Sequence, residues 1–242
     1  MERVLAERQT GKGAYTVPGE LIPMSRSQKV LGERMTKSFR DIPQFSLAFR
    51  VEMDYALSML ERFSKGKGVK ITLNSLIIRA AAMAFSRCPE VLRQIRGEGL
   101  FQPAEVNIGI AVAAGGKIVV PVIRNADRKR LTEIAGEAAH YIGKARNGTL
   151  QLDDVSGGTA TVTNLGMFGI TSFVPLVNPG ESVILGVGSV QEACRAKRGS
   201  AEPFHFAQCT LVCDHRSVNG ELAARFCRKL ARLLETEKES AL

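Results

Sequence analysis

Tryptophan is absent from this 242-residue chain, and tyrosine and histidine each occur only three times. No apolar run reaches the ~18 residues that a membrane-spanning helix needs, so no membrane span is expected. The opening stretch MERVLAERQTGKGAY has charge but no apolar core, which excludes a secretory leader; its lack of serine argues against a transit peptide. Cysteine is scarce and odd in number: Cys88, Cys194, Cys209, Cys213 and Cys227. Most lie inside apolar runs, as reduced core thiols of a cytoplasmic protein do, rather than in a disulfide framework. Tight ligand pairs such as C-x2-C are missing. Cys209, Cys213 and His215 on one strand would share a face but span ~20 Å, so no metal site is expected. The net charge is +9, from 33 Lys and Arg against 24 Asp and Glu. These basic residues do not cluster with aromatics and accompany no nucleic-acid-binding signature, so nucleic acid is not expected as a partner. A field attracting a small polyanion or an acidic protein partner fits better.

What is present is a globular balance: 45% hydrophobic and 24% charged residues, with nine scattered prolines. That is enough apolar material for a substantial core. Residues 1–20 show little periodicity and read as an N-terminal arm; residues 21–242 read as one domain. Val30, Leu31, Met35 and Phe39 recur at helical spacing within Ser25–Arg40, and Pro43 stops that helix. FSLAFRVEM (45–53) alternates as a strand, a short helix follows at 54–63, and LNSLIIRAAAMAFSR (73–87) is apolar nearly all round, as a buried helix is. Strand-like runs at 106–114 and 117–124 meet at Gly115-Gly116, a hairpin signal. An amphipathic helix over 130–146 precedes strands at 157–166, 182–190 and 204–213. This order predicts an α+β two-layer sandwich: a mixed sheet with helices packed mainly on one face.

Between the last strand and the last helix lies CDHRSVNG (213–220). His215 sits there on a short connection between two buried elements, where catalytic groups are often mounted. Asn219 followed by Glu221 also supplies a helix cap and a first-turn acid, so the segment taken alone reads more readily as a capped turn.

Three stretches change that balance: VNIGIAVAAGGKIVVPVIRNAD (106–127), GGTATVTNLGMFGITSFVPLVNPGESVILGVG (157–188), and DHRSVNG (214–220) with its following helix. Together, and with IPMSRSQKVLGERM (22–35) as an opening helix, they resemble the catalytic domain of the dihydrolipoamide acyltransferases, the core component of 2-oxo acid dehydrogenase complexes. The related chloramphenicol acetyltransferases share the fold but typically carry two histidines in tandem, where this chain has Asp214 before His215 and Arg216 after it.

The resemblance implies acyl transfer between coenzyme A and a dihydrolipoyl thiol, with His215 as general base. It places Thr163 where the family usually has a serine that donates a hydrogen bond to the oxyanion; threonine keeps the donor on a stiffer side chain. Asn219 stands where an aspartate is commoner, which leaves that position a geometric role and no charge. Ala113-Ala114-Gly115-Gly116 replaces a turn in which relatives often carry an aspartate and a proline. Residues contacting coenzyme A are not identified by the resemblance. NLGMFGI leans towards acetyl as the transferred group. The implied partners are two further copies of the chain, in a trimer with the active site between subunits, and a lipoyl group supplied by a separate domain or chain. The dehydrogenase components of a 2-oxo acid dehydrogenase complex are implied as well. A coenzyme A-dependent small-molecule O- or N-acetyltransferase and a non-catalytic scaffold core are the alternatives. The tail LLETEKESAL lacks the apolar plug by which trimers of the family join into cages, so assembly is expected to stop at the trimer.

Overall fold

The computed structural model describes residues 19–64, 69–197 and 199–236. The arm expected at residues 1–20 and the tail beyond residue 236 fall almost wholly outside them. In chain order come α1 (Arg26–Asp41), β1 (Gln44–Glu52), α2 (Asp54–Ser64) and α3 (Leu73–Ser86), then the short strands β2 (Gln94–Arg96), β3 (Gly99–Phe101), β4 (Ile108–Ile110), β5 (Val112–Ala114), β6 (Lys117–Val119) and β7 (Val122–Ile123). They are followed by α4 (Leu131–Asn147), β8 (Ala160–Asn164), β9 (Val183–Lys197), β10 (Ser200–Asp214) and α5 (Gly220–Glu235). Each boundary has a local cause. Ser25 and Thr72 cap α1 and α3 through reciprocal capping boxes with Gln28 and Ser75, satisfying amides that the first helical turn leaves unpaired.

Six strands form one mixed sheet in the order β1-β10-β9-β8-β4-β7. β8 runs parallel to both β4 and β9, and the remaining pairs are antiparallel. Side chains alternate across it. Val162, Val183, Leu185, Leu211 and Cys213 join the main core with helices α2 to α5, where the rings of Phe85 and Phe226 stack at 4.3 Å. On the reverse face Ile184 and Val212 pack with Ile42 and Val177, and Ser38 on α1 donates to the Val177 carbonyl. The result is the expected α+β two-layer arrangement, with α1 as the exception on the far side. Cys88, Cys209, Cys213 and Cys227 are buried free thiols; burial pushes Cys209 and Cys227 up to about 12, which makes them poor nucleophiles. Among the described residues, no helix is long and apolar enough to cross a membrane.

Three elements differ from the sequence expectation. The two runs around Gly115-Gly116 are each broken: β4 and β7 stay in the main sheet, while β5 and β6 pair separately beyond it. β9 and β10 extend to 15 residues each, carrying the hairpin well past its apolar portion. There the strands are polar on both faces and Pro203 interrupts the pattern, so alternation is lost. The outer ladder is held instead by Arg195, which pairs with Glu52 at 2.7 Å and Glu202 at 3.2 Å and lies over the Phe204 ring. A small hairpin, β2–β3, turns at Gly97 and is pinned by Arg96 stacked 3.4 Å over Phe101; three-residue strands leave too short a pattern to read.

Two glycines in β9 let the segment after β8 cross the reverse face. A Cβ on Gly188 would lie 1.9 Å from the Thr171 carbonyl oxygen, and one on Gly186 would press on Pro175 at 3.1 Å. Gly188→Ala is therefore expected to cost about 1–3 kcal/mol, as overpacking does. Gly136→Ala, in open space on α4, should instead stabilise by up to about 1 kcal/mol through helix propensity. Thermal melts of both variants check the pair; equal shifts of the same sign would contradict this packing.

Candidate active site

Strand β10 ends in a clamp. The Asp214 carboxyl group is buried at 3% exposure and accepts from the backbone N–H, Nε and Nη2 of Arg216 at 3.0, 2.9 and 2.7 Å. Its carbonyl accepts from the amides of Ser217 and Val218. A bidentate, charge-assisted pair of this kind fixes the turn that carries His215 between its two partners. The His215 amide donates to the Pro43 carbonyl at 2.9 Å, and its ring rests on Phe45 at 4.3 Å between centroids, tilted 42°. The imidazole stays solvent-exposed while its orientation is set by β1. Asn219 does what the capped-turn reading required: its Oδ1 accepts from the Leu222 amide at 2.9 Å and opens α5.

Thr163 lies elsewhere. It is half-buried on β8, facing away from the main core, and lines a cavity of about 790 Å³. The cavity is bounded by α1, the β2–β3 hairpin, the β5–β6 hairpin and the segment 175–181. Its opposite number on β9 is Gly186, so no side chain stands beside the Thr163 hydroxyl across that pairing.

Two positions before Thr163, on the same face, the Thr161 hydroxyl donates to the Glu181 carboxyl group at 2.8 and 3.0 Å and accepts from Asn178 Nδ2 at 2.9 Å. Asn178 Nδ2 also reaches Glu181 Oε2 at 3.3 Å. Gly109 leaves room for this cluster, since a Cβ there would approach Thr161 Oγ1 to 2.8 Å. Burial pushes the Glu181 carboxyl up to about 7, against the hydrogen bonds from Thr161 and Asn178 and the charge of Arg34, which lower it.

The sheet register keeps Thr163 and His215 apart within one chain. Thr163 and Thr210 both oppose Gly186, and His215 lies five residues beyond Thr210. Two strand spacings sideways and five residues along give roughly 19 Å between the two Cα atoms. One chain thus carries His215 and Asn219 on the same turn and holds Thr163 apart from both. Sequence reasoning missed the Asp214–Arg216 clamp, Phe45, and the Thr161–Asn178–Glu181 cluster. The i, i+2 acid and base flanking the histidine was the signal for the first, and the single acid preceding the apolar β9 run was the signal for the last.

A family model described as 2-oxoacid dehydrogenases acyltransferase (catalytic domain) matches residues 17–242. The dihydrolipoyllysine-residue acetyltransferase component of pyruvate dehydrogenase complex from Zymomonas mobilis is 31% identical over 229 residues, covering 93% of this chain and 52% of that protein. The chain thus spans about half the length of the curated relatives it matches. Among solved structures, the cubic core of a pyruvate dehydrogenase multienzyme complex superposes with a TM-score of 0.86 at 31% identity, over 90% of this chain and 92% of that one. The Azotobacter vinelandii dihydrolipoamide acetyltransferase, studied for a serine, a histidine and an asparagine in its catalytic mechanism, gives 0.86 at 30% identity over the same shares. A chloramphenicol acetyltransferase at 16% identity and a TM-score of 0.54 shares the fold.

The Glu181 geometry has a consequence for stability. Its folded-state pKa of about 7 lies above the ordinary 4.5, so the contribution of the neutral carboxyl is intact below about pH 4.5 and is lost as pH rises to about 7. Glu181→Gln, which stays neutral, should gain Tm relative to the parent across that window, with a constant difference above it. Melts from acid to alkaline pH check this; a difference that does not move with pH would contradict the burial of an ionisable group here.

Proposed function

Because the chain belongs to the 2-oxoacid dehydrogenase acyltransferase catalytic-domain family, we propose that it moves an acyl group, acetyl in the first instance, between coenzyme A and a dihydrolipoyl thiol. The observation that carries this reading is a spacing. The serine, histidine and asparagine studied in the Azotobacter vinelandii enzyme are separated by the same intervals as Thr163, His215 and Asn219. A free thiol of pKa ~8.5 is only partly thiolate at neutral pH. The exposed His215 imidazole takes the proton as sulfur attacks the thioester carbon. The carbonyl becomes an oxyanion that the Thr163 hydroxyl stabilises, and collapse expels the second sulfur, which recovers the proton from His215. Asn219 acts through the α5 cap rather than by touching substrate. The cavity suits a coenzyme A arm: apolar walls around Val120 and Val122 with Arg34 and Arg96 among its lining. The lipoyl group arrives on another domain or chain.

The same reading supplies the assembly. Since one chain holds its base and its oxyanion donor roughly 19 Å apart, the working site joins His215 of one subunit to Thr163 of another, in a homotrimer. Exposed Met167, Phe168, Ile170 and Val174, on the segment just after β8, offer an apolar face for that contact. Buried free thiols fit a reducing compartment such as the cytoplasm.

His215→Ala should lower transfer by about 10²–10⁴ with Tm nearly unchanged; activity within a factor of about three would remove His215 from the mechanism. The readout is transfer from acetyl-, succinyl- and branched acyl-coenzyme A to free dihydrolipoamide, and an acceptor spectrum limited to hydroxyl or amine compounds would favour a small-molecule acetyltransferase. Thr163→Ala should lower kcat more than about tenfold with little change in KM for coenzyme A, and Thr163→Ser should stay active. Equal rates for these two variants would leave Thr163 a plain strand residue. Mass photometry should show a particle of three 26.2 kDa subunits; a dominant megadalton particle would overturn the expectation that assembly stops at the trimer, and a fully active monomer would overturn the shared site.

A further inference from the structure

The acyl-transfer mechanism leaves the half-buried Glu181 carboxyl unused. Glu181 lies beside the cavity that presents Thr163, its carboxyl oxygens hydrogen-bonded to Thr161 and Asn178. Among the described residues it makes no ion pair: the charged side chains that line the same cavity are Arg34 from α1, Arg96 from the β2–β3 hairpin and Glu105 ahead of β4. Arg34 acts on it only through space, Arg96 stacks on Phe101, and Glu105 accepts from Asn107. The carboxyl is therefore held by neutral partners, in a setting that disfavours its charged form.

Thr161 and Thr163 are neighbours on one face of β8, some 7 Å apart along the strand. Whatever fixes Thr161 fixes the strand segment that aims Thr163, and any charge on the carboxyl bonded to Thr161 is felt where an oxyanion would form. We propose that Glu181 is a positioning residue for acyl transfer, its hydrogen-bonded carboxyl anchoring the β8 face that presents Thr163 and favouring the oxyanion only while the carboxyl is uncharged. In the neutral state Glu181 holds Thr161 at no electrostatic cost to the intermediate. Once ionised it places a negative charge within reach of the developing one. Two unit charges at 7–10 Å in a partly buried site repel enough to slow the step roughly tenfold.

The inference rests on the acyl-transfer reading and is separable from it by experiment. Acetyl transfer to dihydrolipoamide is followed in the intact protein and in Glu181→Gln and Glu181→Ala, from about pH 6 to about pH 8.5. The ratio of kcat for Glu181→Gln to kcat for the parent should rise about tenfold across this range, with KM for coenzyme A moving less than about twofold. Glu181→Ala, which cannot hold Thr161, should fall below Glu181→Gln throughout. An active parent whose ratio to Glu181→Gln is independent of pH, or an alanine variant equal to glutamine, overturns the role of Glu181 alone. A parent with no transfer activity counts against the acyl-transfer reading. Infrared detection of a protonated carboxyl that disappears with rising pH in the resting parent, and is missing from Glu181→Gln, tests the charge state without turnover. Its absence from the parent overturns the inference as well.

Discussion

The parallel pairing of β8 with β9 is the constraint on which the rest of the molecule rests. It places Thr163 opposite Gly186 and sets Thr161 above the Glu181 carboxyl. The same glycines at 186 and 188 let the chain after β8 cross the reverse face at backbone contact, where any side chain would collide with Thr171 or Pro175. One register thus determines the cavity wall, the position of Thr163 and the apolar segment beside it. A slip of one residue would turn Thr163 into the core and Val162 out of it.

The sheet also keeps His215 and Thr163 apart within one chain. β10 and β8 are separated by β9, and His215 follows the end of β10 whereas Thr163 sits mid-sheet. No side-chain rearrangement closes a gap of roughly 19 Å. The chemistry proposed here therefore makes catalysis a property of the contact between chains, and each chain contributes half of two sites.

Much of this was legible in the sequence. The helices α1, α3 and α4, the strand β1 and the turn carrying His215 follow from periodicity, Pro43 and the Asn219 cap. The outer half of the β9–β10 hairpin did not, because its residues are mostly polar or small on both faces and give no apolar alternation to read; its Arg195 contacts exist only once the strands pair. Thr163 alone is an ordinary strand threonine and took its meaning from the resemblance. The Thr161–Asn178–Glu181 cluster was hidden for a different reason: a glutamate 20 residues from its hydroxyl partner looks like any surface acid until the fold brings the two together.

The grip of Phe45 on the His215 ring has a further consequence. Among the described residues β1 is an edge strand, paired only with β10, and the margins of a sheet open at lower free energy than its core. The imidazole keeps its aim only while that outermost strand is zipped to its neighbour. On the proposed mechanism, fraying at the sheet margin, far short of unfolding, would therefore misalign His215 first, and the protein would lose its competence before it lost its shape.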